Sequence, residues 1–339
     1  MKKRLAVLGA VMLALVISGC SSAEKMISKG VNDAAEKIGD AASDAGVAST
    51  EAYNNYVDLY NSMVSGSLKR RIDYYFEGVQ DTEEFEVVEG ESYTSYGFSE
   101  YDYELIDNVE EQAKQGTGYE KLDAAAAAIC PTARRLMELI DSAAAYGNQQ
   151  GYADDDYAKA KEIHAEFYPL LKTYYTDASV FANELDIVAE KRSAKELEDL
   201  KNNGYEIRSS MLEMMNLAAK ISSVLYADEN ITSANITELD VTNIKPLYNE
   251  FAKKIADFTE LIKDESKIEE EGFDPTFNRV DDFADAAADF KVEVQKIIER
   301  VENNKPLSET DIQLGDLTDG SFEKFSKLYG NLIDRYNGM

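Results

Sequence analysis

Apolar side chains recur at three- and four-residue spacing through most of the chain after residue 50, and this periodicity constrains the possible fold more than any other feature. Such spacing places the apolar side chains on one face of an α-helix, which must be buried against a neighbouring element. The clearest runs are residues 244–262 and 277–301, and turn-forming residues separate about seven such segments. We therefore predict an all-α fold, an elongated bundle of about seven antiparallel amphipathic helices.

Two parts of this pattern are less regular. Residues 85–98 alternate weakly around Gly90, which is typical of a loop or a small hairpin. Residues 181–225 continue the apolar pattern with little Gly or Pro, which predicts long helices.

The N-terminus carries a second strong signal. Basic residues at positions 2–4 precede an apolar stretch, 5–17, and the run then ends in the four lipobox residues Ile17, Ser18, Gly19 and Cys20. This pattern is typical of a bacterial lipoprotein precursor and predicts cleavage of residues 1–19 and lipidation of Cys20. The alternatives are an ordinary signal peptide with an accidental cysteine and an uncleaved anchor helix. Because two or more acyl chains anchor stably where one does not, we expect lasting attachment to a bacterial membrane.

Residues 20–50 are rich in Ala, Ser, Gly and Asp and contain few large apolar side chains. This composition predicts a tether that holds the folded body away from the bilayer. The helical periodicity begins immediately afterwards, so we expect one helical domain over residues 51–339.

The chain is strongly acidic, with 65 Asp and Glu against 35 Lys and Arg and a formal net charge of −30 at pH 7. Removing residues 1–19 would make it more acidic still, because that segment holds three basic residues and no acidic one. Such a surface repels nucleic-acid phosphates and anionic lipid headgroups. We expect no nucleic-acid partner and membrane contact through the lipid alone.

Cys130 is the second of two cysteines, so no intramolecular disulfide can form once Cys20 is lipidated. Its alanine-rich surroundings predict a small buried side chain rather than a reactive thiol. A reactive thiol needs a nearby base or cation, and Arg134 and Arg135 are the only candidates close in sequence.

The sequence contains no clear motif of catalytic or metal-binding residues. His164 is the only histidine. The carboxylates of Glu162 and Glu166 stand two residues before and after it, a spacing that places them on other faces of a helix. Neither a helical zinc motif nor a helical di-iron motif is met. We therefore predict an exposed helical histidine, although counting alone leaves a Ser-His-Asp triad open. No catalytic residue and no cofactor are predicted.

Two residue sets remain as binding candidates. The first, Asp281, Asp285 and Asp289, aligns on one helix face and could hold a divalent cation weakly, but an outer, solvated face explains it better. The second, Tyr53, Tyr56 and Tyr60, is interpreted as core, with a ligand-facing ladder as the alternative.

Two end segments carry a family resemblance. The opening helix reads YNNYVDLYN over residues 53–61 and the closing helix reads LYGNLIDRYN over residues 328–337. Together with the lipobox and the tether, these segments resemble the YiiG-like family of bacterial lipoproteins, a domain of unknown function. The resemblance implies an all-helical lipoprotein of the cell envelope, and it implies no catalytic residues.

The sequence thus favours an extracytoplasmic, lipid-anchored protein with a structural or protein-interaction role and a protein of the cell envelope as partner. The alternative is a ligand-binding lipoprotein that captures a cation, a peptide or a glycan in a groove between helices. A third possibility, an enzyme acting on cell-wall material, rests on His164 or on an unidentified pair of carboxylates.

Overall fold

The computed structural model describes residues 50–339 except 92, 94, 229 and 276–278. The signal peptide, the lipobox with Cys20, and the tether up to residue 49 lie outside the described residues. Within the described part the chain is helical, and its one β-type pairing is an isolated antiparallel bridge between Val79 and Val87. The all-α prediction is confirmed. The chain divides into two compact units, with the boundary between Val188 and Ala189.

The first unit contains α1 to α5 and the first part of α6. Their bounds are Thr50–Leu59 for α1, Ser67–Gly78 for α2, Glu100–Gln115 for α3, Glu120–Asn148 for α4, Tyr152–Asp155 for α5 and Ala158–Asn202 for α6. A π-helical turn, Tyr60–Val64, follows α1 directly. Helix α3 packs against both α1 and α4, and α2 packs against α4.

The segment between α2 and α3 is mostly irregular. The bridge between Val79 and Val87 lies near its start, with the Gln80 amide donating to the Glu86 carbonyl at 2.8 Å. The pairing joins residues 78–80 to residues 86–88, at the start of the predicted stretch 85–98. The described residues of that stretch form no β pairing among themselves, so it is a loop rather than a hairpin. We call residues 79–98 the α2–α3 loop.

The second unit contains the end of α6 and the helices α7 to α12. Their bounds are Glu206–Leu225 for α7, Ile244–Leu261 for α8, Glu265–Glu270 for α9, Arg279–Glu302 for α10, Glu309–Leu314 for α11 and Phe322–Asn337 for α12. Two 3₁₀ turns, Ser233–Glu238 and Gly315–Leu317, lie between them. The two clearest periodic runs of the sequence correspond to α8 and α10.

A break between α6 and α7 interrupts the pattern that the sequence carries from residue 181 to residue 225. Gly204 has φ +78°, a left-handed conformation that glycine adopts without steric cost, and it ends α6. A single glycine in this conformation therefore separates two helices whose apolar pattern continues across it in the sequence.

Several aromatic side chains pack together within the largely aliphatic core of the second unit. Helix α10 packs against both α8 and α12, and its Phe290 is fully buried between them. The ring of Phe290 lies 5.3 Å from that of Phe251 on α8 and 5.2 Å from that of Phe325 on α12. The apolar stripes of three helices therefore meet at this ring.

Among residues 50–339, apart from the gaps given above, no helix combines the length and the apolar character that a membrane crossing requires.

Candidate functional site

His164 is the most unexpected side chain of the first unit. It lies on α6 as predicted, but only 1 % of its surface is exposed. The prediction of an exposed histidine is wrong, because the α2–α3 loop, distant in sequence, covers this position on α6. The flanking carboxylates give information only about α6 itself and not about the segment that packs over it.

Both ring nitrogens of His164 are hydrogen-bonded. Nε2 lies 2.8 Å from the carbonyl oxygen of Thr82, and Nδ1 lies 3.0 Å from the Tyr75 hydroxyl. Because a carbonyl oxygen only accepts, Nε2 carries the proton and Nδ1 accepts from Tyr75. Burial lowers the pKa of His164, while the bond to Thr82 and the charge of Asp81 oppose that shift. The imidazole is therefore neutral at pH 7.

Aromatic rings surround this histidine on several sides. The ring centroids of Tyr75, Phe85 and Tyr168 lie 6.0, 5.7 and 5.5 Å from that of His164. Tyr93 extends the cluster, with its ring 5.8 Å from Phe85. Thr82, Phe85 and Tyr93 all belong to the α2–α3 loop. Contacts with His164 and its neighbours therefore fix the buried side of that loop.

We expect His164 to make the folded protein less stable as the pH falls from 7.5 to 5.5. Its folded-state pKa lies below the ordinary value of 6.5, so below that pH the unfolded chain binds a proton that the folded chain does not. The free energy of unfolding then falls by at most about 1.4 kcal/mol per pH unit, until the folded-state pKa is reached. Denaturant unfolding followed by circular dichroism at several pH values measures this.

The matched control is His164→Asn, which keeps an N–H for the Thr82 carbonyl but has no group that titrates in this range. Because the chain has no other histidine, the stability difference between the wild type and this variant should shrink as the pH falls. Parallel pH profiles for the two proteins would contradict a buried neutral imidazole.

The outer end of the α2–α3 loop carries an exposed aromatic surface. We call it the Tyr96 surface and define it by Arg70, Tyr74 and Tyr96. Tyr96 is 64 % exposed. The ring of Tyr74 on α2 lies 4.7 Å from that of Tyr96, tilted by 40°, and a hydrogen bond with Tyr74 raises the pKa of Tyr96.

Three polar and packing contacts hold the backbone below this surface. Arg71 Nε donates to the Gly97 carbonyl at 2.9 Å, and the Arg71 guanidinium lies over the Phe98 ring, 4.4 Å from its centroid. The Phe98 amide donates to Asp141 Oδ1 at 2.8 Å. A Cβ at Gly97 would lie 2.8 Å from that same oxygen, closer than real Cβ contacts. The loop is therefore fixed next to Tyr96, although the side chain itself projects into solvent.

Arg70 supplies a positive charge at this surface. It is exposed and stands one helical turn before Tyr74 on α2, a spacing that makes the two side chains neighbours. Its nearby carboxylate, Asp73, pairs with Lys69 at 2.5 Å. Among the described residues Arg70 has no ion-pair partner.

The tyrosines singled out in the sequence lie in the core. Tyr53 and Tyr56 are fully buried and Tyr60 is 4 % exposed. The Tyr56 hydroxyl donates to Asp123 Oδ1 at 2.5 Å, which ties α1 to α4. Burial raises the pKa of both Tyr56 and Tyr60. The core interpretation is confirmed, and these rings do not form a ladder open to solvent.

The acidic set of α10 lies on its outer face. Asp281, Asp285 and Asp289 are exposed, while Phe283 and Phe290 of the same helix are fully buried. In the part of the chain that the structure describes, no three His, Cys, Asp or Glu side chains come close enough to hold a metal ion. The geometry supports the solvated-face interpretation.

Cys130 is buried on α4, as predicted, and burial raises the pKa of its thiol to about 12. Its charged neighbours are Glu110, which adds to that shift, and Lys114, which opposes it; both lie on α3. The adjacent arginines do not activate it: Arg134 pairs with Asp107, and Arg135 Nε donates to Glu166 Oε1 at 2.6 Å. The thiol stays protonated at neutral pH.

The structure thus defines an all-α protein with closely packed apolar cores and an exposed, backbone-anchored tyrosine surface. Comparison with known proteins shows its family: residues 47–338 match the model described as "Protein of unknown function (DUF3829)", and the chain belongs to this family. It is similar to the "Uncharacterized protein YiiG" of Escherichia coli (strain K12), with 23 % identity over 296 residues, which cover 84 % of this chain and 77 % of that protein. The YiiG-like resemblance is confirmed. No solved structure matches the chain significantly.

Proposed function

We propose that this chain is a lipid-anchored, extracytoplasmic lipoprotein whose helical body has a protein-interaction role in the bacterial cell envelope. The lipobox that ends at Cys20 supports the location. The Tyr96 surface carries the interaction role, and the family description leaves the activity open.

The composition of the Tyr96 surface is that of a binding surface. Tyrosine and arginine are enriched at protein interfaces and among the side chains that contribute most to binding. Tyr96 leaves most of its area in water, while Arg71, Gly97 and Phe98 fix the backbone beside it. An anchored backbone loses little conformational entropy on binding, which favours a role in recognition.

A binding role agrees better with the described side chains than a catalytic role does. The only histidine has both nitrogens engaged by Tyr75 and Thr82. The thiol of Cys130 is buried and protonated. Histidine is the most frequent general base near neutral pH, and cysteine is one of the common nucleophiles.

The anchor is tested by growing cells with labelled palmitate and comparing the wild type with Cys20→Ser. We expect the label and membrane association in the wild type and the loss of both in the variant, because only a thiol takes the diacylglyceryl group. Cys130→Ser is the matched control and should keep the label. Equal labelling of Cys20→Ser and the wild type would contradict the proposal.

The interaction role is tested by crosslinking in intact cells, followed by purification of the chain. A reproducible partner of the wild type should be lost with Tyr96→Ala and kept with Tyr205→Ala, which removes a 40 % exposed tyrosine elsewhere. A wild-type chain that yields no reproducible partner would count against this role.

A further inference from the structure

We propose that the Tyr96 surface binds a protein segment in which a carboxylate side chain stands next to an aromatic or aliphatic side chain. This inference rests on the interaction role proposed above and names the chemistry of the partner.

The charge at the surface argues for a carboxylate. Arg70 is exposed and without an ion-pair partner among the described residues, although acidic residues outnumber basic ones almost two to one in this chain. The local acid Asp73 is held by Lys69. A guanidinium offers a planar fork of donors that matches a carboxylate, and such a pair gains strength when partner side chains exclude water from it.

The rings argue for an apolar side chain beside that carboxylate. Tyr74 and Tyr96 lie 4.7 Å apart and are tilted by 40°, so their faces are not coplanar. Aromatic rings pack well in offset and inclined arrangements, so a single aromatic or aliphatic side chain can contact both faces. The geometry therefore fits an apolar side chain of a protein segment.

The net charge of the chain limits the kind of partner. A strongly acidic molecule would be repelled over distances of about a Debye length, roughly 8 Å at physiological salt. The partner therefore contributes a single local carboxylate at Arg70 rather than an acidic surface, and binding depends on short-range contacts.

The test starts from a displayed library of random peptides, panned against the full chain in detergent. We expect enriched peptides to share an Asp or Glu within two positions of an aromatic or aliphatic residue. An enriched peptide should bind Tyr96→Ala and Arg70→Ala at least about 10-fold more weakly than the wild type, as expected for side chains central to an interface. Tyr205→Ala should bind it within about twofold, as a matched control.

A double-mutant cycle then assigns the charge contact. Replacing the peptide Asp by Asn, or Glu by Gln, should weaken binding to the wild type but should change binding to Arg70→Ala little, because the pair is already broken there. Equal effects in both backgrounds would overturn the Arg70 contact.

Other outcomes overturn the proposal as a whole. Enriched peptides that bind all variants equally would place the site elsewhere, and peptides without acidic residues would refute the charge complementarity. Failure to enrich any peptide would also refute the proposal, and Tyr96-dependent binding of a neutral glucan would then show that the surface binds carbohydrate. If crosslinking still gives a partner that is lost with Tyr96→Ala, the interaction role stands and only the stated chemistry fails.

Discussion

Replacing Phe290 by alanine is expected to lower the free energy of unfolding by about 3–5 kcal/mol, as for other buried phenylalanines. Phe290 is fully buried, and its ring contacts those of Phe251, Phe325 and Tyr329. Alanine would leave a cavity where three helices of the second unit meet, and close-packed rings refill such a space only in part. Denaturant unfolding followed by circular dichroism measures the loss.

Val292→Ala is the matched control on the same helix. Val292 is 41 % exposed, so the truncation creates no interior cavity and should change stability by less than about 0.5 kcal/mol. Similar losses for both variants would show that the core of the second unit is not organised around Phe290.

Replacing Glu271 by alanine is expected to cost about 2–4 kcal/mol, because its buried carboxylate caps the N-terminus of α7. Oε1 accepts from the Ile207 amide at 2.6 Å and Oε2 accepts from the Arg208 amide at 2.9 Å. The first N–H groups of a helix have no partner within the helix, and hydrogen bonds to a charged acceptor are the stronger kind. The negative charge also complements the helix dipole.

Glu269→Ala tests whether the loss of stability comes from the missing helix cap or only from the removal of a negative charge. Glu269 belongs to the same acidic run but is exposed, so its removal should change stability by less than about 0.5 kcal/mol. Glu271→Gln should fall between the two, because it keeps one acceptor oxygen for a helix amide and loses the charge. A loss with Glu271→Ala no larger than that with Glu269→Ala would refute the capping role.

Local periodicity was sufficient to predict the helices that carry a clean apolar stripe. Helices α8 and α10 lie within three residues of the predicted runs, and their stripes are buried as expected. The same spacing predicts that Tyr53 and Tyr56 lie in the core, and both are fully buried. In these cases the position of a side chain on its own helix is enough to predict its burial, so the local sequence is sufficient.

The binding surface could not be predicted in the same way. Tyr96 looks in the sequence like any of the 21 tyrosines, and contacts of Arg71 and Asp141 with residues 97 and 98 position the backbone beside it. The one available signal was the irregular stretch 85–98 followed by a helix start, which marks a loop between packed helices. It did not say which side chains the loop would expose.

The sequence by itself determined the helical class, the family and the strongly acidic character of this protein, because periodicity, end segments and composition are properties of the chain. Only the tertiary structure decided that His164 is buried under the α2–α3 loop and that Glu271, alone in its acidic run, caps α7. The physical reason is that burial and hydrogen bonding depend on partners brought from 63 to 82 residues away. Spacing along one helix specifies which face a side chain occupies, and the fold then determines what covers that face.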